Sequence, residues 1–259
     1  MTEYLDQLFN LKDKTAAVTG AGGHLCGEMA RALARAGVSV AVLDIREKKA
    51  KAVSDEITAF GGRAFPETLD VTLKQDHERV YGRIMDEFEG IDILINGAGI
   101  NAPTPFFDIP PDEWHSVIAS HVTGTLFACQ VFGKHMVEKQ SGSIINLSSA
   151  SSGPPLSKAF SYSVAKAGIK NLTQNLAREW APFNVRVNAL RPGFFPTEWN
   201  KKHFITKERE RAILGHTPMG RYGEPNELIG AVLWLASDAS GFVTGAEIAV
   251  DGGFSCMTI

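Results

Sequence analysis

Short runs of apolar and β-branched residues alternate along this chain with longer stretches of helical periodicity. The runs fall at Thr15–Thr19, Val38–Leu43, Arg63–Thr68, Ile91–Asn96, Ser143–Leu147, Val185–Leu190 and Glu247–Val250. They are nearly continuous in apolar character, the pattern of strands covered on both faces. Helical spacing of apolar positions appears at about 26–36, 46–60, 73–88, 112–138, 160–181 and 225–237. This alternation predicts an α/β fold with a parallel sheet wound on both sides by right-handed crossovers. No linker, repeat or low-complexity segment divides the 259 residues. The expectation is therefore one doubly wound domain over 1–259. Residues at about 194–223, with Pro196, Trp199, His203, Phe204, Pro218 and Met219, interrupt the alternation. Their place between a late strand and the final helix suits a substrate lid.

Composition narrows the function classes. Hydrophobic residues make up 44% and charged residues 21%, ordinary for a soluble domain with a full core. The net charge of −3 and the lack of a basic block give no nucleic-acid surface. The longest apolar runs, Val38–Leu43 and Ile229–Ala236, are too short to span a bilayer. The first residues carry acids and no apolar core of a signal peptide. Cys26, Cys129 and Cys256 show neither metal spacing nor a disulfide framework, and the seven histidines do not cluster with carboxylates, so no metal is expected. A reducing cytoplasm fits best.

Candidate chemistry begins at the first strand, which runs into Gly20-Ala21-Gly22-Gly23-His24-Leu25 and then a helix. A glycine-rich turn there lets backbone N–H groups approach a pyrophosphate at the helix N-terminus. Asp44 ends the second strand. An acid there can accept the ribose hydroxyls of NAD and repel the 2′-phosphate of NADP, or it can cap the next helix. Arg46, two residues on, could hold such a phosphate instead. Asp70-Val71 follows the third strand, where it could meet an adenine or close a helix start. Asn96-Gly97-Ala98-Gly99 follows the fourth, where small residues permit close backbone approach or simply form a tight turn.

Tyr162 and Lys166 are four residues apart within a helical stretch, and Ser149 lies thirteen residues before the tyrosine. Residues at i and i+4 share a helix face. A lysine beside the phenol would lower its pKa and make it a usable general acid/base. Ser149 could hydrogen-bond the same substrate oxygen. Together they would move a proton on and off an alcohol or ketone.

These elements together resemble the short-chain dehydrogenase/reductase family across essentially the whole chain. The resemblance also draws on Asn188, Pro192-Gly193…Thr197 and Val250-Asp251-Gly252-Gly253. It implies a Rossmann domain with a seven-stranded parallel sheet, a nicotinamide cofactor and a homotetramer or dimer. It places Pro192, Gly193 and Thr197 at the nicotinamide, and Lys166 at its ribose. Three features, at four positions, depart from the family pattern. His24 and Cys26 occupy two of the usual turn glycines, Gly97 replaces an asparagine, and His121 replaces a helical asparagine that relays protons. His121 could pass protons itself, or it could merely cap or pack.

The C-terminal third is similar to the D-mannonate oxidoreductase (fructuronate reductase) branch, in Arg191-Pro192-Gly193-Phe194-Phe195-Pro196-Thr197, His216-Thr217-Pro218-Met219-Gly220-Arg221 and Val250-Asp251-Gly252-Gly253-Phe254-Ser255. That resemblance implies hydride exchange with a sugar acid, and Asp44 makes NAD the expected cofactor, with NADP less favoured. A carboxylate substrate calls for cations or N–H donors. Arg191, Lys201, Lys202 and His203 could serve, with Asn101 and Asn200 for hydroxyls and Trp199, Phe194 and Phe195 closing over the substrate. Arg221 is expected to be structural. The alternatives are the same chemistry on another polyol, sugar, steroid or 3-oxoacyl substrate, or a catalytically silent nucleotide-binding scaffold.

Overall fold

The structure is a computed structural model that describes residues 3–153, 155–157, 159–197, 202 and 205–257. Its centre is a seven-stranded, all-parallel sheet in the order β3-β2-β1-β4-β5-β6-β7. The strands are β1 (Thr15–Thr19), β2 (Ser39–Asp44), β3 (Ala64–Thr68), β4 (Ile93–Asn96), β5 (Gly142–Leu147), β6 (Val185–Pro192) and β7 (Glu247–Val250). All seven expected strands are present, with ends moved by one or two residues. Pro66 sits on β3, an edge strand, where its missing N–H breaks no central ladder.

The helices are α1 (Glu3–Leu8), α2 (His24–Arg35), α3 (Glu47–Ala59), α4 (Lys74–Phe88), α5 (Pro111–Lys139), α6 (Phe160–Trp180), α7 (Lys207–Gly215) and α8 (Ile229–Ala236). Two of them, α1 and α7, were not expected from the pattern. The reason is that α1 buries no side chain and α7 buries only Ile213, so neither leaves an apolar stripe.

Alternate residues of each strand feed opposite faces of the sheet. Val18, Val42, Ile95 and Ile145 pack with α2 and α8 residues such as Met29, Leu33, Val232 and Leu235. Ala17, Ala41, Leu94 and Ile144 pack with α4 and α5 residues such as Val80, Ile84, Phe132 and Met136. Burial on both faces is why these strands read as continuous apolar runs. The 29-residue α5 is long and apolar enough to cross a membrane, contrary to the reading from short runs, but half of its most apolar window is buried within the protein. The helix contains two π-turns, Ala119–Thr123 and Cys129–Gly133.

Strand order reverses direction between β1 and β4, the switch point at which doubly wound sheets bind ligands beyond the strands' carboxyl ends. The functional cleft lies there.

Candidate active site

A cleft of about 1000 Å³ opens along the carboxyl ends of the strands. Residues after six successive strands line it. After β1 come Gly20, Gly23, His24, Leu25 and Cys26. Asp44 and Arg46 follow β2, and Asp70 and Val71 follow β3. Ala98, Gly99 and Asn101 follow β4, Ser149 follows β5, and Pro192, Gly193 and Thr197 follow β6. Tyr162 and Lys166 enter from α6, and His121 enters from the first π-turn of α5.

The first turn requires its glycines. Gly20 has φ +70, and a Cβ there would lie 2.9 Å from the Ala98 backbone. A Cβ on Gly22 would lie 2.7 Å from Lys49 Cβ and 2.9 Å from Asp44 Oδ2. Gly22 itself is not in the cleft wall; its N–H donates to Asp44 Oδ2 at 3.1 Å. Gly23 caps α2, whose N-terminus faces the turn and suits a phosphate.

Asp44 is 4% exposed. Its carboxylate accepts from the Arg46 N–H at 2.9 Å and from the Arg46 guanidinium at 2.9 and 3.2 Å. Thus the acid that would bind ribose and the arginine that could bind a 2′-phosphate hold each other. Asp70 spends one carboxylate oxygen on its own turn, accepting from the N–H and hydroxyl of Thr72 at 2.9 and 2.7 Å. Val71 is fixed by a 3.0 Å contact between its carbonyl and His77 Nε2. Asn96 departs from expectation. Its side chain is buried, donates to Asn146 Oδ1 at 2.8 Å, and is absent from the cleft wall. It ties β4 to β5 from within the sheet.

At the other end, Ser149, Tyr162 and Lys166 converge. Burial pushes the Tyr162 phenol up from its ordinary value, and a hydrogen bond with Ser149 opposes that rise. The expected downward pull of Lys166 does not prevail among these protein groups. The Lys166 ammonium lies 5.6 Å from the Tyr162 ring centre and donates to the Leu147 carbonyl at 2.6 Å. Burial lowers Lys166 to about 8. An ammonium has three donors, so the lysine retains capacity for other acceptors.

His121 stacks edge-on against Tyr162, with ring centres 5.2 Å apart. Its Nε2 meets the Ile100 carbonyl at 2.8 Å, and its buried Nδ1 has no partner. Burial, with Lys166 nearby, lowers its pKa to about 3, so the ring is neutral at physiological pH. Gly99 makes room for it, since a Cβ there would lie 1.9 Å from His121 Cε1.

The substrate end differs from the sequence reading. Asn101 is in the cleft wall, whereas Lys202 is exposed and is not. Trp199, Asn200, Lys201 and His203 lie outside the described residues. Arg191 is not free for a substrate, because its Nη1 donates to Glu247 at 3.0 Å. Arg221 is paired with Glu227 at 2.6 Å, the structural role expected. Phe195 reaches the cleft, while Phe194 packs against Phe254. Sequence reasoning missed His115, Ser116 and Ser120, which line the cleft from α5. Ser116 and Ser120 are an i, i+4 polar pair, a signal that was present in the chain.

Fold and cleft together define a class of nucleotide-binding α/β oxidoreductases. Comparison with known proteins narrows it. A family model described as enoyl-(acyl carrier protein) reductase matches residues 23–255. The "Uncharacterized oxidoreductase UxuB" of Bacillus subtilis (strain 168) is 42% identical, covering 95% of this chain and 96% of its own. A Haemophilus influenza protein solved with bound NAD, carrying a provisional D-mannonate oxidoreductase assignment, is 38% identical with TM-score 0.91, covering 96% and 97% of the two chains. A gluconate 5-dehydrogenase from Burkholderia cenocepacia J2315, solved with NADP and tartrate, is 31% identical with TM-score 0.93, covering 99% and 100%. The chain belongs to the short-chain dehydrogenase/reductase family and is an NAD(P)-dependent oxidoreductase acting on CH–OH groups.

Proposed function

We propose that this enzyme exchanges a hydride between NAD(H) and a secondary alcohol or ketone of a sugar acid of the D-mannonate/D-fructuronate type. The observation that carries the chemistry is the convergence of Ser149, Tyr162 and Lys166 at one end of a cleft whose other end holds Asp44. The residues fit a nicotinamide nucleotide: the cleft runs from the glycine-capped N-terminus of α2 and Asp44 to Tyr162, and Lys166 has donors to spare. Gly20, Gly23, His24 and Leu25 would hold its pyrophosphate, with Gly22 bracing the turn through Asp44; Asp44 would hold one ribose, and Asp70 and Val71 the adenine side. Asn96, Ala98, Gly99, Pro192, Gly193 and Thr197 would shape the nicotinamide side, Asn96 from behind the wall. The bound nucleotide supplies or accepts the hydride.

Tyr162 gives a proton to the substrate oxygen in reduction and takes it back in oxidation. Ser149 donates to the same oxygen and fixes its position. Lys166, buried and cationic, favours the phenolate when the proton leaves. His121 stands where the family has its relay asparagine: its unpartnered Nδ1 would accept a hydrogen bond from the Tyr162–Lys166 network, and onward proton transfer would require Nε2 to leave the Ile100 carbonyl for water. A substrate carboxylate would meet His115, Ser116, Ser120 and Asn101, which line the cleft. Asp44 supports NAD over NADP, because a buried acid opposes a 2′-phosphate. The likeness to the Haemophilus protein supports the substrate class.

We take the enzyme to be a single-domain, cytoplasmic homotetramer. Phe107, at 98% exposure, and the half-exposed Phe160 and Val164 supply apolar surface that an assembly would cover. Light scattering reads the mass directly. The functional test is NADH oxidation with D-fructuronate, run beside NADPH and beside D-mannonate with NAD. Rapid oxidation of NADH with slow NADPH supports the proposal. NADH binding without turnover of D-fructuronate refutes the substrate assignment and directs the assay to other sugar acids, polyols and ketones.

A further inference from the structure

Glu247 lies on β7, outside the cleft wall, yet its carboxylate joins three elements that carry the site. Oε1 accepts from the Ser148 hydroxyl at 2.7 Å and the Ser152 hydroxyl at 2.8 Å. These serines flank Ser149. Oε2 meets Arg191 Nη1 at 3.0 Å and Lys170 Nζ at 3.2 Å. Arg191 directly precedes Pro192-Gly193, and Lys170 is one turn beyond Lys166 on α6. The side chain of Glu247 is 9% exposed. Burial resists its ionisation, but the two serines, Lys170 and Arg191 together hold its pKa below the usual carboxylate range. A largely buried carboxylate with four partners fixes geometry, because its removal would leave the Ser148 and Ser152 hydroxyls without their acceptor.

We propose that Glu247 is a positioning residue for the reaction: it locks the Ser148–Ser152 loop, and through it the Ser149 hydroxyl, against the helix bearing Tyr162 and Lys166. Arg191 completes the lock. Its Nη2 donates to Ser255 at 2.8 Å, and Ser255 in turn bonds Asp251, so the chain after β7 is tied to the same point. The inference rests on the catalytic reading of Ser149 and Tyr162 given above.

The test uses E247Q, which keeps the shape and removes the charge, in wild-type and S149A backgrounds. Hydrogen exchange over 148–153 should quicken in E247Q without any substrate. With D-fructuronate and NADH, kcat should fall about 10- to 100-fold, the scale of a displaced catalytic group, while the NADH Kd is held. In the S149A background E247Q should add less than about a twofold loss, because residues acting as a unit are not additive. Unchanged exchange, unchanged kcat, or losses that multiply in the double variant would overturn the proposal. Should E247Q fail to fold, the S148A/S152A protein carries the same comparison. A wild type that turns over no carbonyl defeats the catalytic reading, while the exchange measurement still decides whether Glu247 orders the loop.

Discussion

Gly97 and Cys26 should behave as one unit. Relative to the family pattern, a glycine has become Cys26 and an asparagine has become Gly97, and the thiol occupies the space of the lost side chain. A Cβ on Gly97 would lie 2.2 Å from Cys26 Sγ, with Thr19 O at 3.3 Å and Leu147 Cγ at 3.5 Å on its other sides. Nonbonded heavy atoms rest about 3.5–4 Å apart, so Gly97→Ala creates an overlap of roughly 1.5 Å. Cys26 is 6% exposed and its thiol, pushed up to about 12 by burial, is a neutral packing group. Overpacking of this kind costs about 1–3 kcal/mol, or about 2–12 °C of Tm at roughly 2–4 °C per kcal/mol for a chain of this size. Cys26→Gly should also destabilise, by about 1–3 kcal/mol, through a cavity and a glycine in a helix. In that background Gly97→Ala should cost less than about 0.5 kcal/mol. Urea unfolding of the four proteins measures the coupling, expected at about 1–3 kcal/mol. Additivity within about 0.5 kcal/mol would refute the idea that one substitution makes room for the other.

Tyr162→Phe should lower kcat by about 10²–10⁴-fold, the usual worth of a general acid/base, with NADH affinity retained by fluorescence titration; wild-type turnover would remove Tyr162 from the mechanism. Asp44→Asn should raise the NADPH-to-NADH ratio of kcat/KM by about 10- to 100-fold, because it removes the charge opposing a 2′-phosphate and releases Arg46. An unmoved ratio would show that Asp44 does not select the cofactor. His121 supplies a pH prediction. Its pKa falls from 6.5 unfolded to about 3 folded, so the unfolded chain binds more protons between those values and stability drops as pH falls through that window. At pH 5 the loss is on the order of 2 kcal/mol, and His121→Asn should abolish that component in denaturant titrations at pH 5 and pH 7.5.

Periodicity was enough to locate all seven strands, because a sheet buried on both faces leaves uninterrupted apolar runs. Glycine placement and the Tyr162–Lys166 spacing marked both ends of the cleft for a related reason: local backbone geometry and helix pitch are encoded in adjacent residues. Long-range partners were not legible. Three sequence departures looked independent, yet folding pairs Cys26 with Gly97 and His121 with Gly99, residues far apart in the chain whose side-chain volumes compensate. Asn96 and Arg191 read as ligand contacts, but tertiary structure supplies Asn146 and Glu247 as their partners. The sign of the Tyr162 shift was likewise decided by depth of burial rather than by the nearby lysine. The sequence by itself determines which local element each residue enters; only the assembled sheet determines which groups share a desolvated space, and desolvation sets both their charge and their packing.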